Sequence, residues 1–290
     1  MTRNDEWIVE ESTELLKYLY EVMANRSRNS VKAILNRGQV IVNGTVTTQF
    51  NDPLAPGDRV QIHTRVATES VTMTGVTIIH EDDDLIVIEK EAGLLSIASN
   101  DEKHLTAYRQ LTNYVRNVRP ENRIFVVHRL DRDTSGIMIF AKNKEAQQTL
   151  QNSWQESVPE RAYVALVEGT VKEDGTVISW LTENKTFMVY SSPRENDGQK
   201  AITHYKVLQS NRNFSLLQVN LETGRKNQIR VHMKDIDHPV VGDKKYGSRN
   251  NSLGRLGLHA NAIAFIHPTS GEKMRFELKV PAVFMRTFNK

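Results

Sequence analysis

The sequence has no cysteine among its 290 residues, which excludes disulfide frameworks, thiolate zinc sites and cysteine nucleophiles. Its 8 prolines and 15 glycines are too few for a collagenous or low-complexity chain. No segment approaches the roughly 18 consecutive apolar residues of a membrane-spanning helix. The first residues mix Arg3 with Asp5, Glu6 and Glu10, and so lack the order of a signal peptide. We therefore expect a globular protein that stays in the cytoplasm and has no membrane partner.

Charge of either sign is also in little excess. The 38 lysines and arginines against 35 aspartates and glutamates leave a net charge of +3. Such a small excess does not by itself indicate a nucleic-acid partner, so any such contact would depend on local basic patches. The composition, 39% apolar and 25% charged, is that of an ordinary globular chain, and the length predicts about two domains.

Residues 1–64 have the pattern of a small, self-contained α/β domain. Apolar residues at helical spacing predict one helix over 15–22 and a second from about Ser27, which ends at Gly38. A hairpin is expected next, because the turn pair Asn43-Gly44 separates two short apolar runs. A further strand is predicted over 59–62.

The second of these helices has a one-sided basic face, formed by Arg26, Arg28, Lys32 and Arg37 with no acid among them. Charge alone is equally consistent with a solvated helix surface. The order of elements from about residue 12 to 64, however, resembles the small RNA-binding domain first recognised in ribosomal protein S-four. That resemblance implies that the four basic side chains contact RNA phosphates, which would position the RNA without reading its sequence.

The chain is predicted to continue through a polar linker at 65–75 into a second domain, 76–290. Strand-like segments at 85–90, 124–127, 163–167, 203–207 and 217–221 surround a helix expected over 105–115. The regular alternation of a doubly wound parallel sheet is lacking, and so is a glycine-rich phosphate loop. We predict an α+β fold with a mixed, largely antiparallel sheet.

A polar stretch at 128–136 separates two apolar runs of this domain, and polar loops between buried strands are where sites are often built. Its centre is Asp131, with Arg129 and Arg132 on either side, an arrangement that favours the carboxylate and would also hold a phosphate near it. A purely structural turn is the alternative. In it Asp133 would bond the backbone, Gly136 would take a positive φ and the arginines would neutralise the aspartates.

A second basic cluster spans 223–232 and is predicted to begin a helix capped by Thr223. Arg225, Lys226 and Arg230 at a helix N-terminus would suit a phosphate or carboxylate, although an exposed basic helix start is the alternative. Tyr163 lies in a predicted strand with Ala165 and Val167 on the same face. From this pattern alone, it would be an aromatic residue of the core.

Five motifs in order along the second domain resemble the RluA-type pseudouridine synthases. They are His-Arg-Leu-Asp-x-x-Thr-Ser-Gly at 128–136, Arg-Ala-Tyr at 161–163, Thr-Gly-Arg-x-x-Gln-Ile-Arg-x-His at 223–232, Gly-Asp-x-x-Tyr-Gly at 242–247 and Leu-His-Ala at 258–260. The resemblance implies an isomerase that breaks the C1′–N1 bond of a uridine in RNA, rotates the base and joins C1′ to C5. It implies no cofactor and no metal, because nothing is oxidised and no group is finally lost.

The same resemblance implies the roles of four residues. Asp131 is expected to be the catalytic aspartate, and Arg230 the arginine paired with it. Tyr163 is expected to stack on the base, and Arg129 to enter the space left by a flipped-out nucleotide. Arg225 and Lys226 are expected to contact the RNA.

Two positions depart from the family pattern. Glu91 stands where proline is common, so the turn there is expected to be less rigid. Asn227 stands where histidine is common, and we expect this change to touch none of the four residues named above. The acidic run 81–84 lacks the spacing of a calcium loop, and we interpret it as a solvated turn.

Two other functions are compatible with parts of the sequence. A phosphotransferase would use the Asp-x-Asp-x-Ser pattern at 131–135 with magnesium, but would leave the later motifs unexplained. A non-catalytic RNA-binding factor would keep the fold without the chemistry, and the intact Asp131 argues against it. For the proposed isomerase, large-subunit ribosomal RNA is the expected partner, with transfer RNA as the alternative, and we expect a monomer.

Overall fold

The computed structural model describes residues 5–24, 26–36, 39–62, 73–99, 102 and 105–288. The chain divides into two compact units, one formed by 1–72 with 113–122 and the other by 73–112 with 123–290. The domain bounds predicted from the sequence stay a prediction. Most of the predicted linker, 65–72, lies outside the described residues.

The first unit contains a short antiparallel sheet and two helices. Its elements are β1 (Asp5–Ile8), β2 (Thr13–Glu14), α1 (Leu15–Val22), α2 (Arg28–Asn36), β3 (Val40–Val42), β4 (Thr45–Thr47), β5 (Pro53–Leu54) and β6 (Arg59–Ile62). Four strands pair in the order β1-β6-β3-β4, and β2 pairs with β5.

The predicted local structure of this unit is confirmed where it is described. Helix α2 buries Val31, Ile34 and Leu35, the stripe that its spacing indicates. The turn between β3 and β4 has Asn43 at φ 50° and Gly44 at φ 83°, the positive values that a two-residue hairpin turn requires. Gly38, the predicted end of α2, lies outside the described residues.

The second unit is built on one large sheet with helices against it. Its strands are β7 (Val76–Glu81), β8 (Leu85–Lys90), β9 (Phe125–Val126), β10 (Ser135–Ala141), β11 (Glu160–Glu168), β12 (Gly175–Glu183), β13 (Val189–Ser192), β14 (Gln199–Ser210), β15 (Phe214–Leu221), β16 (Leu258–Ile266) and β17 (Lys273–Glu277). The remaining helices are α3 (Ala107–Val118), whose residues from 113 on belong to the first unit, α4 (Lys144–Asn152), α5 (Trp154–Ser157), α6 (Gln228–Asp235) and α7 (Ala282–Met285), with a 3-10 helix at Lys244–Tyr246.

The sheet order is β13-β12-β14-β15-β11-β16-β10-β8-β7, with β17 beside β16 and β9 beside β10. Every pairing is antiparallel except that of β10 with β16. The predicted mixed, largely antiparallel sheet is therefore confirmed. The strand expected at 124–127 is shorter than predicted, since only Phe125 and Val126 pair with β10, and both are half-buried.

The parallel pair brings the polar loop 128–134 to the middle of the sheet. Ser135, the first residue of β10, pairs with His259 of β16, and His259 also pairs with Val164 of β11. The loop that precedes Ser135 and the neighbouring Tyr163 are thereby brought to the same part of the sheet. A Cβ on Gly136 would lie 2.2 Å from the Ala260 carbonyl oxygen, so this close approach requires glycine.

In the acidic run 81–84, which joins β7 to β8, the carboxylates of Glu81, Asp82 and Asp84 form structural bonds. Asp82 accepts hydrogen bonds from the backbone N–H groups of Asp84 and Leu85, at 2.8 and 2.7 Å. Its other oxygen lies 2.8 Å from His80 Nε2, and Glu81 pairs with Lys142 at 2.8 Å. In the described part of the chain, no helix is long and apolar enough to cross a membrane.

Two buried histidines make the stability of this fold depend on pH. His232 has no exposed surface and lies between Ser179 and Thr203, and His259 is 2% exposed beside Ser135. Burial lowers the pKa of each to about 4, and the charge of Arg255 lowers that of His259 further. Both are neutral at pH 7.

We predict that the free energy of unfolding falls as the pH is lowered from about 6.5 towards 4. In that window the unfolded chain binds protons that the folded chain does not, so each histidine contributes a slope of about 1.4 kcal/mol per pH unit. Urea unfolding followed by circular dichroism at several pH values measures this slope. A stability that stays constant between pH 6.5 and 4.5 would contradict the prediction. His128, whose pKa burial also lowers to about 4, contributes in the same way. The variant His232→Gln should therefore show about two-thirds of the wild-type slope.

Candidate active site

A cavity of about 530 Å³ opens where the loop 128–134, strand β11 and the start of α6 meet. This volume is within the usual range of sites for small ligands. The four residues expected to act on the flipped uridine all line it: Arg129, Asp131, Tyr163 and Arg230. The structure therefore brings together side chains that are up to 101 positions apart in the chain, from Arg129 to Arg230.

Asp131 and Arg230 face each other across this cavity. Arg230 Nη1 lies 3.4 Å from Asp131 Oδ2, and the side chains are 13% and 30% exposed for the arginine and the aspartate. A partly exposed carboxylate remains accessible to a ligand, while a guanidinium beside it stabilises its negative charge. The pairing expected from the sequence is present in the geometry.

Arg230 is held more firmly by a second carboxylate, that of Asp243. Its Nε and Nη2 donate to Asp243 Oδ2 and Oδ1 at 2.6 and 2.7 Å, a bidentate pair in which the Asp243 side chain has no exposed surface. The guanidinium also lies 5.0 Å above the Tyr246 ring. Despite its burial, Arg230 has a raised pKa, because the hydrogen bonds and charge of Asp243 outweigh desolvation.

Sequence reasoning missed the role of Asp243. The signal was the Gly-Asp-x-x-Tyr-Gly motif at 242–247, which we used only as part of the family resemblance. The carboxylate also accepts from the Tyr246 N–H at 3.2 Å, so it caps the 3-10 helix while it binds Arg230. Asp243 thus fixes both the Arg230 side chain of α6 and the 3-10 helix at Lys244–Tyr246.

Buried bonds anchor the loop that carries Asp131. The Lys90 ammonium has no exposed surface and donates to the carbonyls of Glu91, Leu94 and Arg132, at 2.9, 2.7 and 3.1 Å. Burial lowers the pKa of Lys90 to about 8. Ser96 Oγ donates to the Leu130 carbonyl at 2.7 Å. Both neighbours of Asp131 in the chain are therefore fixed through their backbones.

In the purely structural interpretation of this loop, Arg129 and Arg132 would neutralise the aspartates. Neither arginine forms an ion pair with Asp131 in the described structure. Arg132 Nε donates to the Gly93 carbonyl at 3.2 Å, which adds to the anchoring of the loop. Arg129 is exposed and extends along the cavity wall. Of the described residues, Arg230 supplies the ion pair that Asp131 makes.

The helix start at 223–228 differs from the prediction. Helix α6 begins at Gln228, with Asn227 at φ 56° as its N-cap and no capping bond from a side chain. Thr223 was predicted as the cap, but its hydroxyl donates to Gln228 Oε1 at 2.8 Å and accepts from the Ile202 N–H at 2.9 Å. It closes the loop before the helix instead, because four residues separate it from the first turn.

Asn227 was expected to touch none of the four residues with assigned roles, and the structure contradicts this expectation. Its Oδ1 accepts from Arg230 Nη1 at 3.1 Å and its Nδ2 donates to the Tyr246 hydroxyl at 2.9 Å. This departure from the family pattern therefore contacts Arg230 directly. At the other departure, the Glu91 N–H donates to the Gly75 carbonyl at 2.8 Å, a bond that proline could not make.

Tyr163 is half-buried, and it both packs against the core of the sheet and lines the cavity. Burial is the main reason that the pKa of Tyr163 is raised to about 12, while the charge of Arg161 lowers it and that of Asp131 raises it. The phenol is therefore neutral at pH 7 and lies within electrostatic reach of both charged groups.

The remaining predicted basic residues are on the surface. Arg225 and Lys226 line the rim of the cavity, and Lys226 is ion-paired with Glu183. Arg26, Arg28 and Lys32 are exposed in the first unit, whereas Arg37 lies outside the described residues. Within the described ranges, no three histidine, aspartate or glutamate side chains converge as ligands for a metal ion.

Comparison with known proteins gives a consistent picture. The family model described as RNA pseudouridylate synthase matches residues 84–235. An uncharacterised RNA pseudouridine synthase of Aquifex aeolicus is 34% identical, covering 96% of this chain and 94% of the relative. The ribosomal large subunit pseudouridine synthase D of Haemophilus ducreyi is 30% identical, with 98% and 94% covered, and that of Salmonella typhimurium is 32% identical, with 91% and 86% covered.

Two solved human structures are also similar. RNA pseudouridylate synthase domain containing 4 superposes with a TM-score of 0.60 at 24% identity, over 73% of this chain and 91% of the other, and supports the fold alone. RNA pseudouridylate synthase domain containing 1 gives a TM-score of 0.58 at 27% identity, over 73% and 85%.

We predict that Asp243→Asn lowers the free energy of unfolding by about 3 kcal/mol, because it leaves the half-buried Arg230 charge without its bidentate partner. Denaturant unfolding measures this loss. The matched control is Asp197→Asn, an exposed aspartate whose replacement should change stability by less than about 0.5 kcal/mol. Equal stability of the two variants would show that the Arg230–Asp243 pair does not hold the site together.

Proposed function

The chain belongs to the RNA pseudouridylate synthase family, and we propose that it isomerises uridines of large-subunit ribosomal RNA with Asp131 as its catalytic residue. The observation that carries the proposal is the accessible Asp131 carboxylate, which faces Arg230 at 3.4 Å inside a cavity of about 530 Å³. The family establishes the reaction class, and the assignment of Asp131 and the RNA target is ours.

The reaction moves one bond and loses no group. The C1′–N1 bond breaks, and its electron pair passes to the uracil ring. The freed base rotates, C5 bonds to C1′, and C5 gives up its proton while N1 gains one. Asp131 would assist by attacking C1′ to form a covalent intermediate, from which C5 then displaces the carboxylate, or by removing a ribose proton that it returns when C5 bonds to C1′. Either route uses an unprotonated carboxylate screened from bulk water, and the partly enclosed position of Asp131 suits both.

The other residues have roles that follow from their positions. Arg230 orients Asp131 and stabilises its charge, while Asp243 keeps Arg230 in place. Tyr163 presents a neutral aromatic ring to the cavity, where it would stack on a uracil that has left its helix or loop. Arg129, exposed at the rim, is placed to fill the space that the flipped nucleotide leaves.

The RNA target is inferred from the relatives and from the first unit. Relatives that cover nearly the whole of this chain carry the name of a synthase of the large ribosomal subunit. Arg26, Arg28 and Lys32 are exposed, and the sequence from 26 to 36 that carries them contains no acid, which suits contact with RNA phosphates. We propose ribosomal RNA over transfer RNA for these reasons, and a monomer that works in the cytoplasm with neither metal nor cofactor.

We predict that Asp131→Asn lowers the rate of pseudouridine formation by more than about 10³-fold, because the amide neither attacks nor accepts a proton. RNA binding should be nearly unchanged. Tritium release from 5-tritiated uridine in ribosomal RNA measures the rate, and filter binding measures affinity. The control is Asp133→Asn, an exposed neighbour outside the cavity that should keep most of the activity. An active Asp131→Asn enzyme would refute the assignment of Asp131.

The basic face of the first unit is tested by salt dependence. Replacing Arg26, Arg28 and Lys32 together by glutamine should weaken RNA binding, and should reduce the slope of log Kd against log salt concentration by about two to three. The matched control is Arg59→Gln in the same unit, whose charge is already paired with Glu6 at 3.0 Å. If the triple variant has the wild-type slope, these side chains do not contact RNA phosphates.

A further inference from the structure

Arg161 lines the same cavity, and neither the sequence motifs nor the proposed mechanism assigns it a role. It lies two residues before Tyr163 on β11, so the two Cα atoms are about 7 Å apart. The charges of Arg161 and Asp131 both act on the Tyr163 phenol, in opposite directions. Tyr163 therefore lies close to both the Asp131 carboxylate and the Arg161 guanidinium, which come from different parts of the cavity wall.

The charge of Arg161 is not neutralised within the described structure. Its two hydrogen bonds come from Nη2 and go to the backbone carbonyls of Leu221 and Glu222, at 3.0 and 2.8 Å. Its Nε is buried and has no partner among the described residues, and none of their carboxylates lies within 4.0 Å of the guanidinium. Of its neighbours in the cavity, His128 has a pKa lowered to about 4 by burial and is neutral at pH 7.

Gly224 leaves room for this guanidinium. A Cβ at that position would lie 2.9 Å from Arg161 Nη1, and no other atom would be within 4 Å of it. The backbone of Gly224 is outside the left-handed region, so its conformation does not require glycine. The absence of a side chain at 224 therefore serves the position of Arg161.

A cation whose hydrogen bonds go to neutral carbonyls, and whose charge no carboxylate balances, is suited to an anion that the protein does not supply. Within the proposed function, negative charge develops on the uracil ring when the C1′–N1 bond breaks and is shared among N1, O2 and O4. A base stacked on Tyr163 with C1′ towards Asp131 would turn another edge towards Arg161. We propose that Arg161 donates a hydrogen bond to a uracil oxygen and stabilises the departing base; this rests on the proposed function.

The variant Arg161→Gln tests the inference. Under single-turnover conditions with saturating RNA, tritium release should slow by about 10²- to 10³-fold, the usual effect of removing a donor to a developing oxyanion. Affinity for RNA and its salt dependence should not change. Arg212→Gln, in the exposed turn between β14 and β15, is the matched control and should be fully active.

Two results would overturn the inference. In the first, Arg161→Gln reacts at the wild-type rate. In the second, the rate at saturation is unchanged while the salt slope of binding falls by about 0.9, which would identify a phosphate contact instead. If the wild-type enzyme itself forms no pseudouridine, the proposed function is wrong. This outcome differs from a failure of the inference about Arg161, because the wild type and every variant are then inactive.

Gly224→Ala provides an independent test that retains the arginine. Because the new Cβ would meet only the flexible end of Arg161, the fold should tolerate it while the guanidinium moves. We expect the saturated rate to fall about tenfold, with KM unchanged. The double variant with Arg161→Gln should be no slower than Arg161→Gln alone, since Gly224 acts through Arg161. Additive losses, or a fully active Gly224→Ala enzyme, would contradict the role of Arg161.

A substrate whose base departs more easily than uracil provides a further test. The base of 5-fluorouridine is more acidic than uracil and needs less stabilisation as it departs. Cleavage of its glycosidic bond should therefore be slowed less by Arg161→Gln than that of uridine, whereas equal losses on both substrates would argue against contact with the base.

Discussion

Asp243 has no exposed surface, and both of its carboxylate oxygens accept hydrogen bonds from Arg230, at 2.6 and 2.7 Å. A buried pair of this kind adds little net stability, but losing one partner leaves an uncompensated charge, so the pair persists once formed. It fixes the remaining nitrogen of Arg230 in the direction of Asp131, 3.4 Å away. The position of the catalytic candidate relative to its counter-charge thus depends on a carboxylate that does not contact it.

The second constraint is on the loop itself. Lys90 donates its ammonium protons to three carbonyls, one of them from Arg132, and so links β8 to the residue that follows Asp131. Glycine at 136 allows β10 to lie parallel to β16 at close approach. These contacts hold the backbone on both sides of Asp131, whose side chain lines the cavity.

Much of the fold and part of the candidate site could be predicted from the sequence, because periodicity and local turn chemistry act over short distances along the chain. The antiparallel sheet, the hairpin at Asn43-Gly44 and the polar loop around Asp131 all follow from such signals. What could not be predicted depends on tertiary contacts. The predicted cap at Thr223 was wrong because four residues separate Thr223 from the first turn of α6, and its hydroxyl oxygen accepts from the Ile202 N–H instead. The contacts of Asn227 and Lys90 involve partners that only folding brings near.

In this member of the RNA pseudouridylate synthase family, the Asp131 carboxylate faces Arg230 in a cavity that Arg161 also lines. From these observations we propose that the chain forms pseudouridine in large-subunit ribosomal RNA. The most direct measurement is carbodiimide labelling with primer extension, applied to all RNA from cells with and without the gene. We predict that one or more stops in large-subunit RNA disappear without the gene and return with it. Unchanged ribosomal RNA, with stops lost from transfer RNA alone or from no RNA, would contradict it.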